Sequence, residues 1–193
     1  MPKKREIEVY EFDELSPKAK EKAITTYRHA GYAWDQSDTD MLTEFFQDEL
    51  RALGLPTEDI RWRISYSQGD GVAFYGEFDL EEYLLKHKLK SKYPALAKIA
   101  DEVKMDIQKV GPHMYDHWNT MRVISDVLGT GLTDREQAEL DDLEELINEE
   151  IQKVSKKLEA AGYAEIEYKE GDENIAEIFR ANDYEFDVNG KVL

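Results

Sequence analysis

One long amphipathic stretch constrains this chain more than any other feature. Thr133-Asp134-Arg135-Glu136 has the form of a capping box, in which the threonine and the glutamate three residues on satisfy each other's orphan N–H groups. Leu140, Leu143, Ile147, Ile151, Val154 and Leu158 follow within a narrow arc at helical spacing. The spacing predicts one helix from the capping box to Ala161, with an apolar stripe that must be buried against another layer. Ile60, Trp62, Ile64 and Tyr66 supply a candidate, because they alternate with Arg61, Arg63, Ser65 and Ser67 at the period of a half-buried strand. Val72, Phe74, Gly76 and Phe78 resume the alternation after Gln68-Gly69-Asp70-Gly71. Ile60–Ser67 and Val72–Phe78 are therefore expected to pair as an antiparallel hairpin, with Trp62, Ile64, Phe74 and Phe78 buried.

The remaining pattern is mixed. Ile7, Val9 and Tyr10–Phe12 suggest a short strand, and Ser16-Pro17 a helix start with serine as N-cap and proline at the first helical position. That helix runs towards Gly31. A second covers Thr39–Leu53 and closes at Gly54. Helical spacing recurs at Leu80–Lys88 and after Pro94 through Leu96, Ile99, Val103 and Ile107, ending at Gly111-Pro112. Met114–Val127, rich in Tyr, Trp, Thr, Val and Ile, reads as a third long strand. A helix over Asn174–Ala181, a strand at Tyr184–Phe186 and an Asn189-Gly190 turn complete the chain. The expectation is an α+β fold in a single domain, 1–193: a small antiparallel sheet with helices on one face and a long acidic amphipathic helix.

Charge narrows the functional classes. The 193 residues hold 43 acids against 25 lysines and arginines, a net charge of −18. Direct binding to nucleic acid or an anionic membrane is disfavoured, since both need a positive face. No apolar run approaches the length of a membrane span. With no cysteine there is no disulfide, thiolate nucleophile or zinc finger, and no cofactor is indicated. The expected location is the cytoplasm. The charge is also segregated. Residues 32–60 hold eight acids against Arg51, and 131–173 hold fifteen against five bases, whereas 81–110 are net basic with seven against five.

Four features are candidates for function. Ser67-Gln68-Gly69-Asp70-Gly71 could bring backbone N–H groups close to a small ligand such as a nucleotide, with Ser67, Gln68 and Asp70 as contacts; it also fits a plain turn. His113-Met-Tyr-Asp116-His117 resembles the His-x-x-Glu-His order of one metalloprotease class, but carries an aspartate where that chemistry needs a glutamate. A metal-dependent enzyme using His113 and His117 is thus a third-ranked reading, and the expectation is no bound metal. Trp34-Asp35, Asp38 and Asp40 gather carboxylates around an aromatic, which could do acid–base work only if burial separated their pKa values. The fourth is the long helix. With its apolar arc inward, Asp134, Asp141, Asp142, Glu145 and Glu149 face solvent. Asp134–Glu150 holds nine acids in 17 residues, about one charge per 2.8 Å of axis, against about one per 1.7 Å in duplex DNA.

Val9-Tyr-Glu-Phe-Asp-Glu-Leu-Ser-Pro-Lys-Ala-Lys-Glu-Lys-Ala23, Tyr66-Ser-Gln-Gly-Asp-Gly-Val-Ala-Phe-Tyr-Gly76 and Ala181-Asn-Asp-Tyr-Glu-Phe186 resemble, in order, a phage and prophage family commonly labelled antitoxins of a toxin–antitoxin stability system. The resemblance implies a phage accessory protein acting inside the bacterial host cell on a host or phage macromolecule, and it brings no catalytic residues. The leading expectation is a non-enzymatic inhibitor whose five outward helix acids bind the basic surface of a host or phage protein, such as a nucleic-acid-binding or defence component. The alternative is a small-ligand binder at Ser67–Gly71.

Overall fold

The computed structural model describes residues 8–31, 33–112, 114–129 and 131–193. The chain divides into two compact units, one of Met1–Thr39 with Ala164–Leu193 and the other of Asp40–Tyr163. The architecture is α+β.

The first unit starts with β1 (Tyr10–Glu11) and α1 (Pro17–His29). The Ser16 hydroxyl accepts from the Ala19 N–H and Pro17 occupies the first turn, as the sequence implies. α5 (Asp172–Ala181) packs against α1, and β6 (Glu185–Phe186) pairs antiparallel with β1. Phe12, Tyr27, Phe179 and Phe186 form the aromatic centre of this core, with Phe179 edge-on to both Tyr27 and Phe186. Gly190 has φ +77° where the chain turns back against the Ala19 backbone, so it has no room for a side chain.

The second unit holds a four-stranded antiparallel sheet in the order β2 (Asp59–Arg63), β3 (Gly71–Phe78), β4 (Val103–Lys109) and β5 (Met121–Val127). Ile60 stands opposite Phe74 and Trp62 opposite Val72, the hairpin expected from the alternation. Helices cover one face. From α2 (Gln36–Leu53), Thr43 accepts the Trp62 indole N–H at 3.1 Å. From α4 (Asp134–Lys169), Ser155 donates to the Val72 carbonyl, and Gly162 lets the helix close on Ile64. The short α3 (Leu80–Lys86) packs against β4 and buries Leu80, Tyr83 and Leu84; Phe46, Phe74, Met105 and Leu143 of the same unit are fully buried as well. Ile64 and Phe74 are buried as expected, whereas Trp62 and Phe78 are half-buried.

Three segments depart from the sequence reading. The first hairpin strand stops at Arg63, because the Asp70 carboxylate accepts from the Ser65 and Ser67 N–H groups and curls residues 64–70 into a loop. Leu96–Lys98 and Ala100–Glu102 are 3₁₀ turns, and Val103–Lys109 is a strand rather than helix. Val103, Met105 and Ile107 point inward and Lys104 and Gln108 outward, so a period of two overrides the helical spacing shared by Val103 and Ile107. Only Met121–Val127 of the expected third strand is extended; the Thr120 hydroxyl accepts from the His117 N–H and donates to the His117 carbonyl, closing a turn before it. The long helix keeps its capping box, with Thr133 and Glu136 exchanging bonds, and runs eight residues past Ala161 over 36 residues, about 54 Å.

Candidate functional site

The acids of α4 divide into two sets. Glu136 caps the helix, and Glu139 accepts from the N–H groups of Ala95 and Leu96 at 2.8 and 3.1 Å. Glu144 accepts from Ser125, and Glu150 from the Tyr83 hydroxyl at 2.6 Å. These carboxylates fasten neighbouring segments to the helix. The five outward acids named from the sequence, Asp134, Asp141, Asp142, Glu145 and Glu149, are all exposed. They are not equivalent. Asp142 accepts from the Tyr93 hydroxyl at 2.7 Å and pairs with Lys92, and these two partners hold its carboxyl below the usual range. Glu149 pairs with Lys153 one turn on, and among the described residues Asp141 accepts only from the Gln137 amide. Asp134 and Glu145 have no hydrogen-bond or ion-pair partner among the described residues.

Asp141 and Glu145 meet at a cleft of about 430 Å³ between α4 and β5. Glu144, Asn148 and Gln152 continue the helix side, while Asn119, Met121 and Arg122 form the other. Three carboxylates and one guanidinium leave it net negative. Asn148 has a further role: its side-chain oxygen accepts the Val123 N–H at 3.0 Å, closing a backbone donor on the edge strand β5.

The loop after β2 is arranged differently from a phosphate nest. Asp70 is 6% exposed, and its two oxygens accept from the Ser65 N–H and hydroxyl, the Ser67 N–H and hydroxyl, and the Tyr163 hydroxyl. Burial alone would raise its pKa, but these donors outweigh that and hold the carboxyl far below its ordinary range. Ser67 and Asp70 are therefore spent on holding the loop. Gln68 is exposed and Gly69 has φ +103°.

His113 lies outside the described residues. The His117 Nδ1 lies 3.1 Å from the Asn119 side-chain oxygen. Asp116 accepts from Tyr75 at 2.7 Å and Lys109 at 2.9 Å, which overcome burial and lower its pKa, while burial first and then Asp116 push the Tyr75 phenol up to about 12. Among the described residues no three His, Asp or Glu side chains converge as a metal site. The Trp34–Asp40 cluster is the start of α2: the Asp35 and Asp38 side chains each accept the other's backbone N–H at 3.0 Å. Lys169 holds Asp38 ionised against its partial burial, the opposite of a proton donor's environment.

A family model described as a domain of unknown function, DUF8835, matches residues 39–174. The chain belongs to the DUF8835 family. The DUF8835 match takes in the whole four-stranded sheet, α3 and the cleft beside α4. No curated protein and no solved structure matches the chain. No helix among the described residues is long and apolar enough to cross a membrane.

The sequence marks Asp141 and Glu145 of the cleft but not Glu144, and it gives Arg61 and Arg63 only as the outward positions of a strand. Their signal was present: two arginines two residues apart must share a face. Arg63 has no hydrogen-bond or ion-pair partner among the described residues, which the local pattern does not show.

Proposed function

We propose that this chain is a non-catalytic acidic binding protein that engages the basic surface of another protein through the exposed side of α4, as a phage-encoded inhibitor or antitoxin-like protein in the bacterial cytoplasm would. The observation that carries the reading is the cleft beside β5, where Asp141 and Glu145 stand next to Glu144, Asn148 and Gln152. A lysine or arginine of a partner would find in Asp141 and Glu145 carboxylates that do not fasten other segments to the helix, with the Gln152 amide beside them to orient its donors. The resemblance of Val9–Ala23, Tyr66–Gly76 and Ala181–Phe186 to phage antitoxin-labelled proteins supports the class of partner.

The test is capture from a bacterial lysate at low salt by the immobilised full chain and two variants. One reverses Asp134, Asp141, Glu145 and Glu149 to lysine and keeps Asp142, whose partners belong to the fold. The other reverses Glu21, Glu44, Asp101 and Glu177, which are exposed elsewhere. Both change the net charge by eight units. A basic protein retained by wild type and the second variant but lost by the first supports the reading, and its capture should weaken as added salt shortens the Debye length from about 10 Å at 0.1 M to about 3 Å at 1 M. Equal retention by all three removes α4 from the mechanism.

A further inference from the structure

On the sheet face opposite the helices, Arg61 and Arg63 stand side by side on β2 at the edge of a second cavity of about 330 Å³. Gln68 and Gly69 border it from the loop after β2, and Met114, Tyr115 and Asp116 from the loop before β5. That second loop reaches the sheet because position 71 is glycine: a Cβ there would lie 2.7 Å from the Asp116 carbonyl oxygen and 2.9 Å from the His117 ring.

The charges around this cavity are unevenly satisfied. Asp59 grips Arg61 through two bonds of 2.9 and 2.7 Å, and the Arg61 guanidinium lies over the Tyr75 ring. Asp116 is neutralised by Lys109. Arg63 has no hydrogen-bond or ion-pair partner among the described residues, although the chain carries 18 more acids than bases. Arg122 is also without such a partner among the described residues, but it stands among the three carboxylates of the other cleft, whereas the one carboxylate bordering this cavity is already taken by Lys109, so Arg63 is the guanidinium left available to an anion.

We propose that this cavity binds a small organic phosphate monoester of the size of a nucleoside monophosphate. Arg63 takes the phosphate through its planar fork of donors, which matches two phosphate oxygens at once. Arg61, already oriented by Asp59, adds a second positive charge on the same face. The Gln68 amide and the Tyr115 ring border the space left for the organic part. A volume of 330 Å³ lies at the small end of ligand sites, which suits a monophosphate better than a dinucleotide. This site is separate in its residues from the α4 cleft, so either reading can fail alone.

The experiment is calorimetric titration of the full chain at low salt with the four common ribonucleoside 5′-monophosphates, the matching nucleosides and inorganic phosphate. At least one monophosphate should bind, its nucleoside should bind about tenfold more weakly or not at all, and inorganic phosphate should compete with it. Arg63→Gln should weaken binding about tenfold with an unchanged melting temperature, because the fold does not use that side chain. Lys98→Gln, the same change of charge at an exposed site, should leave it unchanged. The proposal is overturned if no monophosphate saturates at millimolar concentration, if nucleoside and nucleotide bind alike, or if Lys98→Gln weakens binding as much as Arg63→Gln.

Discussion

The Tyr163 hydroxyl donates to the Asp70 carboxylate at 2.7 Å across 93 residues of sequence, tying the loop after β2 to the long helix. Asp70 is thereby a structural anion inside a segment that reads locally as a turn. Asp70→Asn keeps one acceptor oxygen but turns an NH₂ group towards donors. The expected loss is about 1–3 kcal/mol in urea denaturation, the range for leaving buried hydrogen-bonding groups unsatisfied. The pH dependence follows the depressed pKa. The stabilisation is complete above the ordinary aspartate pKa and is lost as pH falls through the lower folded value. The partner phenol is raised to about 12, with Asp70 as the main cause, so its contribution holds below pH 10 and is lost as pH rises through 12. In Asp70→Asn the Tyr163 phenol should ionise closer to pH 10 by ultraviolet titration; an unmoved value would mean that the bond does not set it.

Gly71 sits at a close approach between backbones, and its φ is not positive. The expectation from the sequence was a turn glycine, for which a left-handed conformation is the reason. Here the reason is space, so even alanine should be poorly tolerated. Gly71→Ala should lower stability by about 1–3 kcal/mol, the range for overpacking against a neighbour that cannot give way. A melting temperature equal to wild type would show that the loop bearing Asp116 and His117 moves aside freely.

How far the fold was legible depends on whether each signal was local. The capping box at Thr133, the Ser16-Pro17 start and the alternation from Ile60 to Arg63 need only neighbouring residues, and the structure keeps all three. The loop at Ser65–Asp70 continues the same alternation, but Asp70 draws two backbone N–H groups onto itself and breaks the strand. Val103–Lys109 reads as helix because the spacing of Val103 and Ile107 fits both periods, and Met105 between them decides for the strand. The acids of α4 were legible as a face but not as two sets. Whether a carboxylate is free depends on where Tyr83, Tyr93 and the Ala95 backbone arrive, and no local pattern carries that.

Asn148 supplies a test of how the sheet edge is protected. Its oxygen accepts the Val123 N–H, and its NH₂ donates to the Glu144 carbonyl at 2.8 Å. Asn148→Leu retains a similar volume and removes both bonds. The N–H of the buried Val123 would then lack a partner, at a cost of about 1–3 kcal/mol. Hydrogen exchange at the Val123 amide should accelerate more than exchange at amides bonded within the sheet. Equal acceleration throughout would point to global loosening instead of an opened edge.

The division of the helix acids into structural and available sets predicts opposite behaviour for two glutamates six residues apart. Glu139 accepts from the Ala95 and Leu96 N–H groups and from Arg135, which together overcome the desolvation of its carboxyl and lower its pKa. Glu139→Ala leaves the two backbone donors without their acceptor and should cost about 2 kcal/mol. In wild type this contribution is present above the ordinary glutamate pKa of 4.5 and fades as pH falls through the lower folded value, so the deficit of the variant should shrink in acid. Glu145 lies on the cleft without a partner among the described residues, and Glu145→Gln should change stability by no more than about 0.5 kcal/mol. Removing one negative charge from a chain of net −18 also relieves some self-repulsion, so the sign of that small change should favour the variant at low salt. Denaturation of both variants across pH and salt separates the outcomes. A large loss for Glu145→Gln would make that carboxylate part of the fold and withdraw it from the surface offered to a basic partner.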